Sequence, residues 1–198
     1  MEFTGASYMP IINYNGEECI ILFKSSKANV YCDLGGHREK HENFPHETCN
    51  REVLEESLNT LNVILNNNSQ HIFYNGYYCF FEKLNIDYTK LKNTYKNNYI
   101  FIHNDNDLPD HWYETKDIDI FPLKNLTNLT DLNYEVFKCK NIKGKYKNIW
   151  YRVIKYIKYA LINNIISTNN IIFPFKTKNI QKIEKNYNNV NKTITIII

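Results

Sequence analysis

The sequence predicts an α/β fold, and three observations carry that reading. Short β-branched and aromatic runs alternate with turn residues near the start of the chain and again past residue 70. A stretch with leucines at helical spacing lies between them, and a second helical periodicity follows residue 149. Residue types associated with sheets and with helices are therefore interleaved along one chain, as in a sheet covered by helices. At 198 residues the chain fits one domain with a sizeable core.

Residues 8–14, 18–23 and 29–34 read as strands, the first two joined by the turn dipeptide Asn15-Gly16. Gly35-Gly36 ends the third and opens a polar loop through Pro45. A helix is expected over about 46–65, closed by Asn66-Asn67-Asn68-Ser69. Residues 71–83 read as one strong strand, 98–103 as another, and 118–121 as a third, with Pro122 starting a connection. The lysine-rich stretch to Lys96 is ambiguous. Helices are expected over 131–138 and 149–166, the latter with Val153, Ile157, Ala160 and Leu161 on one face. Past Ser167 the chain is rich in Asn and Lys and is expected to be partly disordered.

The five cysteines form no CxxC pair, which points to free thiols in a reducing compartment. No apolar run approaches the roughly 20 residues of a membrane span. The first residues lack a basic region followed by an apolar one, so the expected location is cytoplasmic. Charge divides unevenly. Residues 1–135 hold 11 Lys/Arg and 20 Asp/Glu, whereas residues 136–198 hold 13 Lys/Arg against Glu184 alone. A catalytic core over 1–135 with a basic helical extension over 136–198, packed on it or continuous with it, is the expected organisation. The basic part points to an anionic partner.

On a helical wheel Leu54, Leu58, Leu61 and Leu65 fall within about 60° of each other, and Glu52, Glu55 and Glu56 lie opposite within about 100°. Like charges at this spacing repel, and no lysine four residues on relieves them. An unrelieved acidic face suits either plain solvation or a hard divalent cation, which takes oxygen ligands. Gly35 and Gly36 let backbone approach a phosphate closely. Arg51 stands four residues before Glu55, within reach to orient it.

From Gly36 the sequence runs five residues to Glu42, eight more to Arg51, and then Arg51-Glu52-Val53-Leu54-Glu55-Glu56-Ser57-Leu58-Asn59. This stretch resembles the Nudix box, written G-x5-E-x7-R-E-U-x-E-E-x-G-U with U a bulky apolar residue. It departs in one extra residue before Arg51, in Leu58 where the late glycine stands, and in Asn59 where an apolar residue follows. With Leu58 on the core face, a longer helix is expected. The resemblance implies an α/β/α sandwich around a mixed sheet, with C-terminal helices. It implies Mg²⁺ or Mn²⁺ on Glu52, Glu55 and Glu56, with Glu42 as accessory acid or outer-sphere ligand and Arg51 as the orienting residue. Glu55 or Glu56 would remove a proton from the attacking water. Glu114, with Asp117 as second choice, is the candidate for the further acid many members carry near a late strand.

The implied reaction is hydrolysis of a diphosphate linkage in a nucleoside diphosphate-linked substrate. Lys143, Lys145 and Lys147 occur in an acid-free basic run interleaved with Tyr146, Trp150 and Tyr151. Lysines neutralise phosphates and aromatics stack on bases. The first substrate expectation is therefore the 5′ cap of mRNA, with Trp150 or Trp112 against the methylated guanine, as in decapping Nudix proteins of large DNA viruses. A small-molecule Nudix enzyme, acting on nucleotides, dinucleoside polyphosphates or diphosphoinositol phosphates, is the alternative. A non-catalytic RNA-binding domain of the same fold is the third. His37 and His41 are expected as substrate or surface contacts.

Overall fold

The computed structural model describes residues 2–104, 108–127 and 135–166. In chain order the strands are β1 (Gly5–Tyr14), β2 (Glu17–Ser25), β3 (Tyr31–Cys32), β4 (Leu34–His37), β5 (His71–Tyr74), β6 (Tyr77–Leu84), β7 (Thr115–Pro122), β8 (Val136–Lys140) and β9 (Tyr146–Trp150). The helices are α1 (Pro45–Glu56), α2 (Tyr88–His103), α3 (Leu123–Thr127) and α4 (Tyr151–Ile162), with a 3-10 turn at Asp110–Tyr113. The strands form one sheet in the order β5-β6-β1-β2-β3-β9-β8, with β4 also on β1 and β7 on β2. β1–β6 and β3–β9 are parallel and the other pairs antiparallel, so the sheet is mixed.

Strand alternation divides the interior into two layers. Ile20 and Leu22 of β2 face one core with Phe121, Ile149, Val153, Ile154 and Ile157. Cys19, Ile21 and Phe23 face the other with Ala6, Tyr8, Cys49, Val53, Leu91 and Tyr95. Helices α3 and α4 thus cover one face, and α1 and α2 the other. The architecture is the expected α/β/α sandwich around a mixed sheet. Because both faces are covered, β1 is buried almost throughout, with no polar stripe to mark it. All five cysteines are buried and unpaired. Among the described residues no helix is long and apolar enough to cross a membrane.

Several elements differ from expectation. The strand expected over 71–83 is the hairpin β5–β6, turned at Asn75-Gly76, whose positive φ values of 50° and 83° fit a tight two-residue turn. The strand expected over 98–103 is the end of α2. Asp87 caps that helix, accepting from the N–H groups of Thr89 and Lys90, and Tyr88, Leu91, Tyr95 and Ile102 form its buried face. The helix expected over 131–138 lies partly outside the described residues, and its end, from Val136, is strand β8. Residues 136–150 are accordingly a β-hairpin rather than helix, and β9 joins it to the core by pairing with β3. The stretch past Ser167 lies outside the described residues.

Helix α1 is shorter than expected and rotated. Pro45 opens it and Glu47 accepts from the Phe44 N–H, but it stops at Glu56. Leu58 and Asn59 both take left-handed backbone, with φ of 55° and 56°. Leu58, Leu61 and Leu65 are buried, yet they lie beyond the helix, and Leu54 is exposed at 44 %. The buried face of α1 instead carries Thr48, Cys49, Glu52, Val53 and Glu56. A wheel drawn over 46–65 assumed a continuous helix, and the left-handed break invalidates it.

Candidate active site

Strand β4 runs antiparallel to β1, setting Gly35 against Ser7 and Gly36 against Ala6. Both glycines lie inside this strand and do not form the turn expected at the end of the third strand. Their lack of a side chain matters for packing. A Cβ on Gly35 would strike Ser7, and one on Gly36 would strike the Glu52 carboxylate. The space so created receives α1 carboxylates, since the Gly35 N–H donates to Glu56 Oε2 at 2.5 Å.

Arg51 ties the acids together. Its Nε donates to Glu42 Oε1 at 2.9 Å, and its Nη1 to Glu52 Oε1 at 2.8 Å and Glu55 Oε2 at 3.1 Å. Its Nη2 donates to the His37 carbonyl at 3.0 Å. Glu42 is buried, and its other oxygen accepts from Thr48 Oγ1 and the Glu39 N–H. The Arg51 contact holds its carboxyl below the ordinary range despite the opposing effect of burial. The extra loop residue before Arg51 therefore does not prevent Glu42 from reaching it.

Glu52 and Glu56 differ from Glu42 because little compensates their burial. Burial lifts the Glu52 pKa to about 7, against the pull of Arg51 and with added repulsion from Glu55 and Glu114. Burial also lifts Glu56 well above the ordinary range, with Glu52 adding to it and the Gly35 N–H opposing it. On the outer side of the cluster, His111 Nε2 lies 3.6 Å from Glu55 Oε1. Glu114, just past the 3-10 turn, is half-buried and pairs with Lys27 at 3.1 Å, close enough to add to the negative field at Glu52 and Glu56. Asp117 is engaged elsewhere, by the Tyr31 hydroxyl and Lys92.

Glu52, Glu55 and Glu56 offer hard oxygen donors with only one guanidinium among them, a chemistry that fits Mg²⁺ or Mn²⁺. Among the described residues no group of three or more His, Cys, Asp or Glu side chains is already gathered for an ion, and Arg51 bridges two of the three acids.

The substrate-binding candidates divide. Trp150, at the end of β9, reaches this region through Arg152, whose guanidinium carbon lies 4.8 Å from its ring centroid. Lys143 and Lys145 sit in the turn at the opposite end of β9, and Lys147 lies over the Tyr31 ring. Trp112 packs against the α1–α2 side of the core. His37 contacts Tyr77 Oη at 3.0 Å, and His41 is exposed beside Glu39. Asp33 is a further residue of this region. It is buried between β3 and β4 and accepts from Arg152. A lone aspartate before a leucine gives no sequence signal, because its partner lies 119 residues away.

No family model and no curated protein matches the chain. Among solved structures, an Ap4A hydrolase of C. elegans is 16 % identical, with a TM-score of 0.38 over 63 % of this chain and 83 % of that one. The NUDIX domain of Shewanella oneidensis NrtR complexed with ADP ribose is 10 % identical, with a TM-score of 0.41 over 81 % and 89 %. A NUDIX hydrolase from Nitrosomonas europaea is 18 % identical, with a TM-score of 0.32 over 61 % and 74 %.

Proposed function

We propose that this chain is a Nudix-type pyrophosphohydrolase that cleaves a diphosphate linkage in a nucleoside diphosphate-linked substrate. The observation that carries the reading is Glu56, a carboxylate buried against the Gly35 N–H beside Glu52, in a cluster that Arg51 links to Glu42. Ionising Glu52 and Glu56 where they are buried is costly, and a divalent cation would offset that cost. Glu52, Glu55 and Glu56 would hold Mg²⁺ or Mn²⁺, which when bound lowers the pKa of water and neutralises phosphate oxygens. Glu42 fixes the Arg51 guanidinium, and Arg51 in turn fixes Glu52 and Glu55. Glu55 or Glu56 accepts the proton of the attacking water, and Glu114 supplies negative field from the rim.

For the substrate, the 5′ cap of mRNA is supported by the exposed lysines Lys138, Lys140, Lys143 and Lys145 on the β8–β9 hairpin. Lys145 and Trp150 are about 16 Å apart along an extended strand, a span that suits an RNA chain entering toward Trp150. A free nucleotide, dinucleoside polyphosphate or diphosphoinositol phosphate would use the carboxylate cluster without that lysine face. Its support is the place of Lys143 and Lys145 in the β8–β9 turn, at the end of β9 opposite Trp150.

The test is hydrolysis with Mg²⁺ or Mn²⁺ of capped RNA, nucleoside triphosphates, ADP-ribose, dinucleoside polyphosphates and diphosphoinositol phosphates. Glu56→Gln should abolish turnover while the circular dichroism spectrum is kept. Metal-dependent turnover by that variant would overturn the assignment. Replacing Lys143, Lys145 and Lys147 with Gln should weaken binding of capped RNA severalfold and steeply reduce its salt dependence, with free-nucleotide turnover unchanged. Equal effects on both substrates would remove the RNA reading.

A further inference from the structure

Arg152, the second residue of α4, is held in an unusual way. Its Nε and Nη2 both donate to Asp33 Oδ1, at 3.3 and 3.1 Å. The guanidinium lies over two rings, 4.8 Å from the Trp150 centroid and 5.7 Å from that of Tyr77. Its Nη1 donates to no protein acceptor among the described residues. The Asp33 side chain is fully buried and its Oδ2 has no partner, whereas the Arg152 side chain keeps 21 % of its surface open.

As a stability device this pair is poor. Two charges are desolvated, one carboxylate oxygen goes unsatisfied, and an apolar pair of similar volume would often do as well or better. As a way to fix a guanidinium it is effective. Asp33 fixes one edge of the planar fork, and Trp150 and Tyr77 restrict its faces, leaving one edge with free donors. The position is also informative. Asp33 stands two residues before Gly35, whose N–H binds Glu56. Tyr77 feels both Arg152 and Glu52 electrostatically, and its hydroxyl bonds His37, whose carbonyl holds Arg51. Arg152 is thus a preorganised cation at the edge of a carboxylate cluster to which it forms no ion pair.

We propose that Arg152 is a substrate-binding residue that contacts a phosphate of a nucleoside diphosphate through its free edge, with Asp33 as its positioning residue. Trp150 and Tyr77 hold the guanidinium plane. The inference rests on the hydrolase reading for the identity of the ligand, but binding can be measured apart from turnover. A bidentate guanidinium–phosphate contact is a charge-assisted pair, so its loss should weaken binding about tenfold or more.

The experiment is calorimetric titration of the full chain with ADP, with and without Mg²⁺, beside steady-state kinetics on whichever diphosphate substrate the panel identifies. Arg152→Met alone would strand Asp33 as a buried charge and risks unfolding. The main variant is therefore Asp33→Asn with Arg152→Gln, which removes both charges and keeps a polar side chain at each position, and Arg152→Lys keeps the charge without the fork. Both should weaken ADP binding about tenfold, raise KM and leave kcat within about threefold, while Glu56→Gln loses turnover. An unchanged ADP affinity in a folded double variant overturns the inference, as does a wild-type chain that binds no ADP at millimolar concentration. If wild type binds ADP through Arg152 yet hydrolyses nothing in the panel, the binding inference holds and the hydrolase reading fails. Hydrolysis that is indifferent to Arg152 gives the reverse.

Discussion

Glu52 and Glu56 hold their protons tightly because they were moved from water into a wall of glycine backbone and helix, where ionisation is costly. That cost has a consequence in metal-free solution. Glu52 titrates near 7 in the folded chain and near its ordinary value of 4.5 when unfolded. The folded state therefore binds more protons between those values. Its stability is fully present below the ordinary carboxylate range and is lost as pH climbs through about 7. The window is worth on the order of 3 kcal/mol, at about 1.4 kcal/mol per pH unit. Denaturant unfolding in EDTA should show wild type losing stability between pH 5 and pH 8, and Glu52→Gln losing markedly less. Equal losses in the two proteins would show that Glu52 titrates normally. Excess Mn²⁺ at pH 8 should recover the difference in wild type, since a ligand that binds only the folded chain stabilises it by mass action.

At the scale of elements, the end of α1 controls where these acids sit. Leu58 follows the end of α1 in left-handed backbone, with a φ of 55° that glycine would adopt freely. Its side chain is 1 % exposed, so core burial offsets the backbone cost of about 1–2 kcal/mol. Leu58→Gly should relieve that strain but lose about 2–3 kcal/mol of burial. Leu58→Ala loses most of the burial and keeps the strain. Alanine should therefore be the more destabilising by about 1 kcal/mol, the reverse of their order inside a helix, and thermal unfolding of the two variants decides the matter. A normal helical order would mean that α1 continues past Glu56 in solution. This break explains why a wheel over 46–65 misplaces the leucines although the charged positions are legible. The charged positions could be read from spacing alone, because Glu42, Arg51, Glu52, Glu55 and Glu56 lie within 15 residues of one another. The hairpin at Asn75-Gly76 and the Asp87 cap were also written locally, but strong β-branched and aromatic runs nearby obscured them. The Asp33–Arg152 contact had no local signal at all.

For the whole molecule, the division of charge at residue 135 falls within one continuous sheet. Strand β9 pairs with β3 inside the sheet, and α4 covers the sheet face that β2, β7 and β9 build. Val153, Ile154, Ile157 and Ala160 are each 0 % exposed. Burying a valine or isoleucine side chain contributes about 1.5–3 kcal/mol, so Val153, Ile154 and Ile157 with Ile149 of β9 sum to roughly 6–12 kcal/mol. That is comparable to the roughly 5–15 kcal/mol by which a whole domain is stable. Residues 1–135 expressed alone should therefore fail to unfold cooperatively and should bind a hydrophobic dye, whereas 1–166 should show a single sharp transition. A cooperative, dye-free 1–135 would establish an independent core and would reduce the basic hairpin and α4 to an appendage. If instead the two parts fold only together, the basic segment is the second wall of the sandwich, and it brings Arg152 onto Asp33, two residues before the Gly35 whose N–H binds Glu56.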